Sequence, residues 1–127
     1  MDPKSDPKSG NMSASGDYIP DAGDIVKVNF SPTKGTEQAE YRRAIIITSR
    51  DYNAKVGRCF ACPTSSQDHG YPFDVALPKG FAVTGVILCD QGKPLDYRAR
   101  RLVLVARAPA EILDEVRVMM GTFLEIP

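Results

Sequence analysis

The chain has 127 residues, the size of one domain, and its 43% hydrophobic and 25% charged residues are ordinary for a globular protein with a core. No apolar run approaches the ~18 residues of a membrane span. The first residues are Asp, Lys, Ser and Pro and lack the apolar stretch of a secretory signal. Three cysteines cannot all pair within one chain, which favours a reducing compartment. The composition therefore predicts a single cytoplasmic domain without membrane association.

The zero net charge conceals an uneven distribution along the chain. Residues 1–24 and 108–127 each carry a balance of −3, whereas residues 25–107 hold 13 Lys and Arg against seven acids. The arginines of this basic part form two sequence clusters, Arg42, Arg43 and Arg50 and then Arg98, Arg100 and Arg101. Such clusters suit a polyanion, and on charge alone the alternative is a set of solvated strand edges.

Strands dominate the predicted elements. Residues 1–17 repeat Asp-Pro-Lys-Ser and are then rich in Ser and Gly, which predicts a disordered tail before a folded domain at 18–127. A Gly-containing segment at Asn53–Gly57 predicts a turn. Alternating or β-branched apolar residues predict about six short strands, around Val26–Phe30, Ala44–Ile47, Phe60–Cys62, Phe73–Leu77, Val83–Cys89 and Leu102–Ala106.

The last segment has helical periodicity. After Pro109, apolar residues recur at spacings of three and four from Ile112 to Leu124, with acids near the start, where the helix dipole favours them. The Met119–Phe123 stripe of this helix is expected to be core. The predicted architecture is a strongly bent antiparallel sheet or small barrel with a C-terminal helix.

Several common chemistries are disfavoured by the residue types. His69 is the only histidine, so two-histidine acid–base pairs and two-histidine metal sites are excluded within one chain, and its Asp-His-Gly context suggests a solvated loop. Cys59 and Cys62 have zinc-knuckle spacing, but on a strand they would face opposite sides. Glycine-rich phosphate loops and the Gly-x-Ser-x-Gly elbow do not occur.

Two polar loops offer a different chemistry. The segment from Thr33 to Arg43 leads into a buried strand and contains Glu37 and Arg42, and the segment Pro63–Gln67 offers three hydroxyls and an amide. Together they could supply a carboxylate base, a guanidinium for a phosphate and hydroxyl donors. These groups suffice for a reaction in which the 2′-hydroxyl of an RNA attacks the adjacent phosphate and cleaves the strand. From the residues alone, the alternative to a catalytic site is that the two loops form a surface ion pair and two turns.

The sequence resembles the MazF/PemK toxin family along nearly all of its predicted domain. The similarity comprises five stretches in order: Pro20–Val26, Phe30–Ala39, Tyr52–Gly57, Gly70–Val75, and Asp90-Gln91 with Leu95–Arg101. The resemblance implies an SH3-like barrel of the type shared by the MazF, Kid and CcdB plasmid-maintenance toxins, assembled as a homodimer. It also implies sequence-specific cleavage of single-stranded RNA to 2′,3′-cyclic phosphate and 5′-hydroxyl ends, without a metal or cofactor.

The family's partners follow from the same resemblance. It implies a MazE-like antitoxin that covers the RNA site, and promoter DNA bound only by the toxin–antitoxin complex. The alternative is a non-catalytic toxin of the same barrel that acts by binding a partner, as gyrase poisons do.

Site residues are carried over from the family position by position. Glu37 is the candidate base, Arg42 the stabiliser of the phosphorane-like transition state, and Ser65 a hydroxyl donor where relatives often have threonine. Residues expected to hold the RNA are Lys34, Thr36, Gln38, Tyr41, Arg43, Thr64, Ser66 and Gln67. Arg43, Glu40, Gly92 and Pro94 depart from the more usual family residues, so the cleavage sequence cannot be transferred from a relative.

Overall fold

The computed structural model describes residues 18–30 and 41–127. The predicted tail at 1–17 and the polar segment 31–40 lie outside the described residues. Within them the chain forms a seven-stranded sheet and three helices. The strands are β1 (Asp24–Asn29), β2 (Tyr41–Ile46), β3 (Cys59–Ser65), β4 (Asp74–Ala76), β5 (Val86–Leu88), β6 (Lys93–Leu95) and β7 (Val103–Arg107). The helices are α1 (Arg50–Val56), α2 (Tyr97–Arg100) and α3 (Ala110–Leu124), and a 3-10 turn spans Cys89–Gln91.

The sheet is antiparallel, with the strand order β4-β5-β3-β2-β1-β7. β6 pairs with β3 outside this path. β1 and β2 are in continuous register from Ile25 opposite Ile45 to Asn29 opposite Tyr41. The prediction of a mainly β domain with a C-terminal helix is confirmed.

Two apolar clusters occupy opposite faces of the sheet. Val26 and Val28 belong to one cluster, and Ile25 belongs to the other. The second cluster also contains Ile112 and Val116 of α3, with Met119, Met120 and Phe123 packed against it. The predicted core role of the Met119–Phe123 stripe is therefore confirmed. This packing explains why consecutive residues of β1 are both apolar: each face of the strand has its own core.

The cysteines follow the same division between faces. Cys59 lies in the first cluster and Cys62 in the second, so the prediction that β3 places them on opposite sides is confirmed. Both are buried free thiols, as is Cys89. Burial raises the pKa of each of the three thiols to about 12. These are structural apolar side chains with little thiolate character.

The predicted turn at Asn53–Gly57 is wrong, because these residues belong to helix α1 and its cap. The Ser49 hydroxyl accepts a hydrogen bond from the Tyr52 backbone N–H at 3.3 Å, and Gly57 ends the helix at a left-handed φ of 75°. Asn53 is the one buried residue of α1, and its amide donates to the Pro20 carbonyl at 2.8 Å. A seven-residue helix with one buried residue leaves no apolar periodicity to detect.

Short elements account for the other differences from prediction. The strands at Val83–Cys89 and Phe73–Leu77 are observed only at β5 and β4, with three residues each. Neither β6, which contains Pro94, nor the four-residue helix α2 was predicted. In the described part of the chain, no helix is both long and apolar enough to cross a membrane.

Candidate active-site cleft

The ends of β2 and β3 border a cleft of about 450 Å³. Pairing of Ala44 with Pro63 sets these two strands side by side, so the start of β2 meets the end of β3. The side chains around the cleft are guanidinium groups, hydroxyls and one phenol, with a short apolar wall. Its lining residues are Tyr41, Arg42, Arg43, Thr64, Ser65, Ser66, Ala82, Val83 and Thr84.

The Arg42 side chain of β2 is hydrogen-bonded to the neighbouring strand β3. Its Nη2 donates a hydrogen bond of 2.8 Å to the carbonyl oxygen of Thr64, and the side chain is only partly buried. A guanidinium has five N–H donors in a planar fork, so this contact leaves most of them available at the cleft. A second hydrogen bond joins the same two strands: the Thr64 hydroxyl of β3 donates to the Arg43 carbonyl of β2 at 3.3 Å.

The Ser65 hydroxyl lies at the rim of the cleft. It donates to the Gln67 carbonyl at 3.1 Å and accepts from the Gln67 backbone N–H at 3.2 Å, so the residues after β3 form a local turn. These contacts are solvent-exposed, and a hydroxyl can rotate toward a ligand at small cost. Gln67 belongs to this turn and does not line the cleft.

The third wall of the cleft comes from the segment before β5. Gly85 has a φ of 110°, and a Cβ built there would lie 1.9 Å from the Ser65 carbonyl oxygen. Only glycine allows this approach, which holds Thr84 and Val83 beside Ser65. No local sequence pattern indicated Ala82, Val83 and Thr84 as lining residues, because their place depends on this distant backbone contact.

Two arginines of the second sequence cluster, Arg98 and Arg100, make contacts that stabilise the fold. Arg100 donates from Nη1 to the Asn29 carbonyl at 2.7 Å, and Arg98 stacks on the Tyr97 ring at 5.7 Å. Lys93 makes a parallel contact, donating to the Phe30 carbonyl at 2.7 Å with its ammonium 4.6 Å from the Phe30 ring centroid. Arg100 and Lys93 thus hold the end of β1, where the charge pattern alone left a polyanion site and solvated strand edges open.

Asp74 is an unusual carboxylate beside the second core. Its oxygens are buried, and neither has a hydrogen-bond partner among the described residues. Desolvation raises the pKa of Asp74, with further increases from Asp90 and Asp68 and an opposing effect from His69. His69 itself is exposed and stacks on Tyr71 at 5.7 Å, which agrees with its predicted loop position.

The structure thus brings together Tyr41, Arg42, Arg43, Thr64, Ser65 and Ser66 of the predicted site. Glu37, Lys34, Thr36 and Gln38 lie outside the described residues. Within residues 18–30 and 41–127, no three His, Cys, Asp or Glu side chains form a cluster suited to a metal ion. The described cleft lining contains two guanidinium groups and no carboxylate, which makes it a poor environment for a divalent cation and a good one for a phosphate.

Comparison with known proteins places the chain in one family. Residues 21–124 match the family described as the PemK-like, MazF-like toxin of type II toxin–antitoxin systems. The chain belongs to this family. The match begins in the turn before β1 and ends at the last residue of α3, so it includes both strands that border the cleft.

Relatives within the family are similar over most of their length. The endoribonuclease toxin MazF of Escherichia coli (strain K12) is 47% identical over 107 residues, covering 84% of this chain and 96% of the relative. The endoribonuclease PemK of Escherichia coli is 32% identical over 111 residues, covering 80% of each chain.

Solved structures show the same fold. The MazF crystal structure from Deinococcus radiodurans matches with a TM-score of 0.78 and 44% identity, covering 87% of this chain and all of that one. The MazE–MazF structure from the same organism matches with a TM-score of 0.79, again at 44% identity and with the same coverage. A mycobacterial endoribonuclease with its cognate antitoxin has a TM-score of 0.71 but only 14% identity, which supports the fold alone.

Proposed function

We propose that this chain is the endoribonuclease toxin of a toxin–antitoxin pair and that it cleaves single-stranded RNA at specific sequences without a metal. The observation that carries the proposal is the cleft lined by Ser65, Ser66 and Arg42, whose guanidinium donates to the Thr64 carbonyl. Family membership supplies the reaction class, and the cleft supplies groups that fit a phosphodiester.

The proposed reaction is attack of the RNA 2′-hydroxyl on the adjacent phosphorus. The 2′-oxygen–phosphorus bond forms and the phosphorus–5′-oxygen bond breaks. The leaving 5′-oxygen takes a proton from water, so the products carry a 2′,3′-cyclic phosphate and a 5′-hydroxyl. Glu37 is the proposed base that takes the 2′-proton. Arg42 stabilises the negative charge that grows on the phosphoryl oxygens, since a guanidinium keeps its protons in proteins and is a poor proton carrier.

Ser65 and its neighbours are proposed to position the substrate. The Ser65 hydroxyl exchanges its contact with the Gln67 carbonyl for a phosphoryl oxygen, which replaces one hydrogen bond by a charge-assisted one. Tyr41 is 65% exposed beside the cleft and is suited to stacking on an unpaired base. Arg43, Thr64, Ser66 and Gln67, with Lys34, Thr36 and Gln38, complete the proposed RNA-binding set.

The proposal extends to assembly and regulation. We expect a homodimer in the cytoplasm, inhibited by a MazE-like antitoxin that covers the cleft, and promoter DNA bound only by the toxin–antitoxin complex. Support comes from the similarity to a chain solved in a MazE–MazF structure. RNA cleavage by the free toxin would inhibit translation and growth.

The decisive experiment is incubation of the purified chain with a long single-stranded RNA in EDTA, beside Arg42→Ala. Cut ends are mapped by primer extension, and 5′-hydroxyl ends are recognised by direct labelling with polynucleotide kinase without prior phosphatase. We expect discrete cuts with 5′-hydroxyl ends that are absent with the variant. Cutting that is lost in EDTA and restored by magnesium contradicts the metal-free reaction. Absence of cutting by well-folded protein on several RNAs favours the binding-only toxin instead.

A further inference from the structure

A row of exposed side chains crosses three strands next to the cleft. Lys27 of β1 lies opposite Arg43 of β2 and, on its other side, opposite Val103 of β7. Directly opposed residues of antiparallel strands project from the same face of the sheet, so the three side chains share one face. All three are exposed, Val103 to 47%.

This row continues the face that carries the second core. Ile25 and Ile45 form the same-face pair two residues along the strands, and both are fully buried in the cluster with α3. At Lys27 and Arg43 the same face becomes open and cationic. The face therefore changes from covered and apolar to exposed and charged between Ile25 and Lys27 on β1, and between Ile45 and Arg43 on β2.

Lys27 and Arg43 lack an anionic partner in the described part of the sheet. In the described residues, 18–30 and 41–127, neither Lys27 nor Arg43 forms an ion pair with a carboxylate. Like charges directly opposite one another destabilise a sheet. A bound polyanion removes this repulsion, so the arrangement favours a ligand carrying several phosphates in a line.

The aromatic neighbour points to the type of polyanion. Tyr41, two residues before Arg43 on β2, lies on the same face and is 65% exposed at the edge of the cleft. Cations along a groove combined with an exposed aromatic ring are the usual elements of single-strand binding, because the cations follow the backbone and the ring stacks on a base.

We propose that Lys27 binds a backbone phosphate of the single-stranded RNA substrate, outside the cleft. The RNA then leaves the cleft past Tyr41 and Arg43 and crosses β1 at Lys27 toward Val103. The inference rests on the proposed endoribonuclease function and adds a binding residue on a strand that the cleft does not include.

The test is the salt dependence of RNA binding by the full chain. The probe is a 2′-O-methyl oligonucleotide spanning a cut site mapped with the wild-type chain, which has no 2′-hydroxyl to attack. Affinities of the wild type, Lys27→Gln and Lys27→Arg are measured from about 50 to 300 mM KCl. Each phosphate contact to a single strand contributes about 0.7 to the slope of log affinity against log salt concentration.

Lys27→Gln should make the slope shallower by about 0.7, and Lys27→Arg should keep the wild-type slope. The matched control is Lys55→Gln. Lys55 is exposed on α1, a helix tied through Asn53 to Tyr97 of the opposite core cluster. The control should leave the slope unchanged.

Equal slopes for Lys27→Gln and Lys55→Gln would overturn the proposal, and so would a Lys27→Gln chain with an altered oligomeric state by sedimentation. Those failures leave cutting by the wild-type chain intact. Failure of the proposed function itself is a separate result, in which the wild-type chain does not cut RNA.

Discussion

The Nη2 atom of Arg42 lies 2.8 Å from the carbonyl oxygen of Thr64, so the first arginine of β2 is tied to the end of β3. The contact sets the direction of the guanidinium before any ligand is present. A preorganised donor stabilises developing charge more effectively than one that must reorient during the reaction. The strand pairing that builds the sheet therefore also orients the proposed catalytic cation.

Arg42→Ala should reduce the rate of RNA cleavage by about 10² to 10³-fold, the usual effect of removing one preorganised donor. Arg42→Lys should restore only a small part, since one ammonium cannot both reach Thr64 and present a planar fork to a phosphate. Initial rates on a short RNA containing one cut site measure this. The control is Arg58→Ala, an exposed arginine before β3, which should cut within about twofold of wild type; equal activity of Arg42→Ala would remove Arg42 from the mechanism.

Gly85→Ala should destabilise the fold and impair cleavage, whereas Gly80→Ala should cause only the smaller loss of stability. Both residues have positive φ, 110° and 80°, and share the cost of placing an L side chain there, about 1–2 kcal/mol. At Gly80 the new methyl meets nothing within 4 Å, but at Gly85 it meets the Ser65 carbonyl at 1.9 Å. The overlap adds about 1–3 kcal/mol and displaces one wall of the cleft. Urea unfolding and cleavage rates test this, and equal losses for the two variants would show that the close approach is unimportant.

Asp74→Asn should raise the melting temperature by a few degrees at pH 7. The folded chain raises the pKa of Asp74 above its unfolded value, so its stability contribution is largest in acid and is lost as pH rises through the folded pKa. The gain of the variant should therefore shrink as pH is lowered toward about 4. Thermal melts across this range measure it, with Asp114→Asn on the exposed side of α3 as control. A gain that is independent of pH would indicate a packing effect instead.

Deletion of residues 1–16 should leave the melting temperature nearly unchanged, because their composition offers nothing that could pack on a core.

Tyr18→Phe should be destabilising by about 1–3 kcal/mol. The Tyr18 hydroxyl donates to the buried Asp24 carboxylate at 2.5 Å, and the change removes that donor. Differential scanning calorimetry of both variants tests where the folded domain begins. A large loss on deleting 1–16 would place the boundary earlier.

The sequence predicted the elements that have long or regular apolar patterns. The helical spacing from Ile112 to Leu124 and the alternation of Val26 with Val28 are strong signals, because a continuous stripe must be buried. α1 was mistaken for a turn because its stability comes from the Ser49 cap, the Gly57 end and the side chain of one residue, Asn53. Such contacts leave no periodic trace in the sequence.

The candidate site also contains residues that the sequence predicts and residues that it does not. Arg42 and Ser65 are predicted from position-by-position comparison with the family, and both line the observed cleft. Ala82, Val83 and Thr84 were missed, since they reach the cleft only through the contact of Gly85 with Ser65. The charge pattern could not predict the structural contact of Arg100, because its carbonyl partner at Asn29 is distant in the sequence.

The three buried thiols have a consequence for chemistry outside the fold. With thiol pKa values raised to about 12, Cys59, Cys62 and Cys89 hold almost no thiolate at neutral pH. Peroxide and alkylating reagents consequently attack them only after the sheet opens, and the rate of thiol labelling reports the opening equilibrium directly.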